Sequence, residues 1–133
     1  MSYSNQSRAT SAYREREILN ATPGRLVVIV YDHVLASLFR ARAAAAADRL
    51  EIRLDSLSKA RAGLMELLST LNSDGVQIAE NLRSLYGFLY VQLMEESRTP
   101  DARRLDKIVA MVTELRDAFA TIAGETVALG SAA

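Results

Sequence analysis

The chain has 133 residues, half of them hydrophobic, with 16 basic and 16 acidic side chains and a formal charge of zero. That length suits one domain with a core burying about two-thirds of the unfolded surface. The zero net charge removes the general electrostatic reason to seek nucleic acid, and the absence of cysteine excludes disulfides, thiolate nucleophiles and zinc ribbons.

Residues 1–12 are small and polar, the composition of a disordered tail, and a single domain is expected over 13–133. No leader-like pattern opens the chain and no apolar run nears the 18 or so residues of a membrane span, so a cytoplasmic protein without membrane insertion is expected. Within 13–19, Tyr13, Ile18 and Leu19 are the apolar anchors of a short helical cap segment. A helix of that length has no stability of its own and must dock to be ordered.

The first long helix is predicted over 23–47. Thr22 suits the cap position and Pro23 the first helical position, where a missing N–H costs nothing. Apolar residues run unbroken from Leu26 to Tyr31 and continue through Val34, Leu35, Leu38 and Phe39. At about 100° per residue they cover roughly half the circumference, more than the stripe of about 100° that a bundle helix needs. Val28, Leu35 and Phe39 widen that arc.

In the second helix Leu50, Leu54, Leu57, Arg61, Leu64, Leu68 and Leu71 alternate spacings of four and three, a heptad seam interrupted by one arginine. The run Asn72-Ser73-Asp74-Gly75 then supplies turn chemistry. The third helix carries Ile78, Leu82, Leu85, Leu89 and Leu93 on its seam, with Phe88, Val91 and Met94 off it. Thr99-Pro100 repeats the cap-plus-proline start, and Leu105, Ile108, Val112, Leu115, Phe119 and Ile122 form a fourth seam that Gly124 or Gly130 would end. The expected fold is all-α, an antiparallel up-down four-helix bundle with a short N-terminal helical cap segment.

Chemistry is sparse. The single histidine, His33, falls on the polar arc of the first helix, and no Glu-x-x-His, Cys-x-x-Cys-His or glycine-rich phosphate loop is present. No cofactor or metal is expected. Arg61 at a seam position must be paired or reach the bundle rim, and a carboxylate partner at the rim is the expectation. An inward active-site arginine, as in all-helical chorismate mutases, is the alternative. Phe88, Val91 and Met94, with Val28, Leu35 and Phe39, are the candidate lining of a groove for a partner's apolar helix, because contiguous exposed apolar surface marks interaction sites.

The run Glu17-Ile18-Leu19-Asn20-Ala21-Thr22-Pro23, followed by Leu26 and Tyr31-Asp32, resembles the "E-I-L-x-A-T/S-P" opening of the flagellar secretion chaperone FliS family. Gln77-Ile78-Ala79-Glu80-Asn81-Leu82-Arg83-Ser84-Leu85-Tyr86 is similar to a second family motif, and Leu57-Ser58-Lys59-Ala60 to a weaker third. His33-Val34, Gly87 and Phe119 depart from the family pattern. The resemblance implies a cytosolic, non-enzymatic chaperone that binds the disordered C-terminal region of flagellin, prevents premature polymerisation and assists type III export. In that picture the groove takes flagellin, the segment with Tyr13, Ile18 and Leu19 gates it, and export-gate components are further partners. A self-associating, homodimeric bundle with a regulatory role stays open as an alternative.

Overall fold

A computed structural model of the protein describes Ala12, residues 22–71 and residues 77–132, with side chains as far as Gly124. The predicted cap segment with Tyr13, Ile18 and Leu19, and the turn expected at 72–75, lie outside the described residues. Among the described residues four long helices follow in order: α1 Pro23–Ala46, α2 Leu50–Ser69, α3 Gln77–Arg98 and α4 Ala102–Ala132. Among the described residues there is no strand.

The helix ends show why the chain turns where it does. Thr22 Oγ1 accepts the Arg25 N–H at 3.2 Å, with Pro23 at the first helical position. At the other end of α1, the Arg49 N–H reaches back to Ala44 O at 2.8 Å and the Asp48 N–H to Ala45 O at 3.3 Å. This is the Schellman arrangement, which needs a left-handed residue, and Asp48 supplies it at φ 55°.

The start of α4 differs from expectation. Asp101, not Thr99, is the cap: its Oδ1 accepts the N–H groups of Arg103 at 3.0 Å and Arg104 at 3.3 Å. A carboxylate is the stronger acceptor and complements the positive end of the helix dipole. Pro100 therefore precedes the cap. At the other end, α4 runs through both Gly124 and Gly130 without stopping. An interior glycine weakens a helix by about 1 kcal/mol but ends it only when the chain turns left-handed there.

The helices pack in the cyclic order α1, α2, α3, α4, so α1 and α3 stand on a diagonal. Asp32 pairs with Arg116 at 2.8 Å and Arg42 with Asp106 at 2.9 Å, which ties the middle and the C-terminal part of α1 to α4 and shows the pair to be antiparallel. The core is built from Tyr31, Val34 and Leu38 of α1, Leu57, Leu64 and Leu67 of α2, Leu89 and Leu93 of α3, and Ile108 and Val112 of α4. One end of the bundle holds the α1–α2 and α3–α4 turns, the turn end. The opposite end, where α1 begins, is the open end.

On α2 the leucine seam is only half of the buried face. Leu57 and Leu64 are buried, but Leu50 and Leu54 are exposed. The rest of the buried face is Arg53, Ser56, Ala60, Gly63 and Leu67. A helix at a bundle corner serves two neighbours: here leucines meet α3, and small residues let α1 approach closely. A methyl group added to Gly63 would overlap Val34 Cγ2.

Candidate functional site

Viewed along α3, Tyr86, Leu89 and Leu93 point into the core, and at about 100° per residue Val91 lies almost opposite them. Phe88 and Met94 flank Val91 by about 60° on either side. All three are exposed, Phe88 at 51% and Val91 at 56%. Phe88 leans toward α4, the side on which Glu96 meets Arg104. Met94 leans toward α2, the side on which Arg61 donates to Ser97 Oγ at 2.8 Å. The three therefore form one diagonal apolar ridge across the outer face of α3.

The α1 residues behave differently. Val28 is fully buried at 0% exposure and Leu35 is half-buried against the core, so neither offers an open surface. Most of the wide apolar arc of α1 is taken up by burial within the molecule, with Leu26 and Phe39 left exposed. Phe39 is exposed, with the Arg42 guanidinium 5.5 Å from its ring centroid. It sits on the helix diagonal to α3, so the structure does not bring it together with Phe88, Val91 and Met94.

A second apolar feature escaped sequence reading. Ile78 and Leu85 share the flank of α3 that carries Glu96, and Met111, Leu115 and Ile122 share the flank of α4 that carries Arg104, each set within about 40°. These are the two walls of the α3/α4 seam. At its turn end the seam is bolted by the buried Glu96 carboxylate, which accepts the Asp101 N–H at 3.1 Å and Arg104 Nη1 at 3.3 Å. Toward the open end the walls part: Ile78 is 68% exposed and Ile122 60% exposed, although both occupy seam positions. Periodicity marked them as core because it records the spacing of a seam and not how much of each layer is covered.

Behind the seam sit Tyr31, Tyr86 and Phe119. Tyr31 of α1 reaches across the diagonal, its hydroxyl hydrogen-bonded to that of Tyr86 on α3, and its ring lies 5.4 Å from that of Phe119 on α4. Burial raises the pKa of both tyrosines, so both stay neutral through the physiological range.

The polar residues noted in the sequence have structural partners or solvent. Arg61 reaches the rim as expected, but its partner is the Ser97 hydroxyl and not a carboxylate. The buried arginine is Arg53, which no periodicity had singled out; it donates to Glu96 O at 2.8 Å and so satisfies the end of α3. His33 is exposed and lines a shallow trough of about 360 Å³ with Arg40, Lys59 and Glu66. No cluster of three or more His, Asp or Glu able to hold a metal occurs among the described residues. No described helix is long and apolar enough to cross a membrane.

Comparison with known proteins agrees with this architecture. The sequence model of the family described as "Flagellar protein FliS" matches residues 5–126. The flagellar secretion chaperone FliS of Bacillus subtilis is 28% identical over 109 residues, covering 82% of this chain and 81% of the relative. That of Vibrio cholerae is 26% identical over 112 residues, covering 84% and 82%. A crystal structure described as a flagellar chaperone from bacteria superposes with a TM-score of 0.70 at 19% identity, covering 88% of this chain and 96% of that one.

Proposed function

We propose, as the chain belongs to the FliS family of flagellar proteins and is a flagellar secretion chaperone, that its client is the C-terminal region of flagellin, held in the cytoplasm against premature polymerisation and handed on to the export gate. The observation that carries this is the α3/α4 seam with the ridge beside it, where Ile78, Phe88, Val91, Met94 and Ile122 leave large apolar side chains in solvent on adjoining faces. An amphipathic segment that is disordered when free buries its apolar side in such a groove and orders as it does so. The role needs no catalytic step and no cofactor. The segment carrying Tyr13, Ile18 and Leu19 competes for the same surface in the free chaperone.

The test is the double variant Phe88→Asp/Val91→Asp. Both side chains are exposed, so the variant should melt as the parent does, while two carboxylates buried without partners should weaken flagellin binding about a hundredfold. Removal of residues 1–19 should strengthen binding. A folded double variant that captures flagellin as well as the parent, or equal capture of flagellin lacking its C-terminal region, would sink the proposal.

A further inference from the structure

The fastenings of α3 are unevenly placed. At the turn end Arg53 holds Glu96 O and Ser97 O, Arg61 holds Ser97 Oγ, and Glu96 grips Asp101 and Arg104. Every one of these involves residues 96 or 97. Between α3 and α4, the hydrogen bonds among the described residues all involve Glu96 or Thr99. From residue 77 to residue 95, the polar tie from α3 to another helix among the described residues is the Tyr86–Tyr31 hydroxyl pair. The α3/α4 contact is also the sparsest of the four helix pairings, and its apolar walls part at Ile78 and Ile122.

A rod pinned at one end by several charge-assisted bonds, one of them buried and the others partly so, and at mid-length by one neutral hydroxyl pair, opens at its less fastened end. We infer that α3 is the movable wall of the seam, hinged at Glu96–Ser97 and latched across the bundle by the Tyr31–Tyr86 hydroxyl pair, so that releasing the latch widens the seam at Ile78, Leu85 and Ile122. This rests on the seam being the client face, and it assigns the tyrosine pair a gating role beyond that of core packing. The pair is chemically suited to act as a latch. Each hydroxyl satisfies the other while the seam is closed, and opening exposes both to water, which replaces the lost bond.

Hydrogen exchange on the free, full-length protein tests the hinge without any client. Amides of residues 82–86 should exchange at least about tenfold faster than those of residues 90–95 in the same helix, and beyond the first turn this difference is not end fraying. Tyr86→Phe should speed residues 82–86 about fivefold more and leave residues 90–95 unchanged. Because that change strands the Tyr31 hydroxyl, the double variant Tyr31→Phe/Tyr86→Phe, which removes both partners, should show the same selective loosening with the fold kept. Uniform protection along α3, or equal loosening of both halves in the double variant, would overturn the hinge. Added flagellin then separates the two ideas. Selective loosening without protection by flagellin leaves the hinge standing and removes the client face, whereas normal flagellin binding to a uniformly protected α3 removes the hinge alone.

Discussion

The α1/α2 seam and the α3/α4 seam are built from the same alphabet of amphipathic helices, yet one closes tightly around Gly63 and Val34 and the other gapes at Ile78 and Ile122. Along α1/α2 the meeting residues of α2 are small: Ser56, Ala60 and Gly63 let the backbones close until Val34 fills the space over Gly63. Along α3/α4 the meeting residues are large aliphatics, and a single buried carboxylate holds the turn end. Close helix approach follows from side-chain volume at the contact, and interaxial distance grows with it. A seam of large residues closes only where both helices supply a full layer. Where they do not, apolar surface stays exposed, as at Ile78 and Ile122.

Enlarging a residue in the shut seam should cost the most. Gly63→Leu should destabilise the fold by about 3 kcal/mol, because Val34 is buried, β-branched and unable to give way. Urea denaturation measures it. A loss below about 1 kcal/mol would mean that the α1/α2 seam is as compliant as the other one.

The tyrosine pair spans the diagonal between the two seams, and pH probes it. Both folded-state pKa values lie above the ordinary value of 10.0, mainly through burial. The folded state thus keeps its protons where the unfolded state loses them. Stability from the neutral pair is therefore complete below pH 10 and falls above it, with a limiting slope of about 1.4 kcal/mol per pH unit for a tyrosine that stays protonated in the fold. Denaturation at pH 9 and pH 11 should show this fall in the parent. Tyr31→Phe/Tyr86→Phe should abolish most of it, and an equal fall in that variant would place the alkaline sensitivity elsewhere.

The smallest expected effect is at Ser56, fully buried in the shut seam with no hydrogen-bond partner for its hydroxyl. Ser56→Ala removes an unsatisfied polar atom and improves helix propensity, so it should raise stability by about 0.5–1 kcal/mol. A destabilised variant would show that the hydroxyl is satisfied in solution.

Much of this was legible in the residues. Thr22-Pro23 opened α1 where expected because capping is local chemistry. The helical seams were readable because a period near 3.6 is a property of the chain alone. Misreadings occurred where neighbours compete. Thr99-Pro100 resembled a helix start until Asp101, two residues on, proved the stronger acceptor. Arg53 passed unnoticed because a buried arginine can be satisfied by main-chain carbonyls 43 residues away in sequence, and periodicity carries no record of them. Of the six residues first grouped as a groove, Phe88, Val91 and Met94 share a ridge. Phe39 stands on the diagonal helix, and Val28 and Leu35 are withdrawn into the molecule.

By itself, then, the sequence determined the four long helices, most of their boundaries, the all-α class and the family, because caps, turns, periodicity and motifs are encoded within a few residues of one another. Which side of each helix meets which neighbour was decided only by the tertiary structure. So was the close packing of one seam and the parting of the other, because exposure at Ile78 and Ile122 depends on packing between helices distant in sequence.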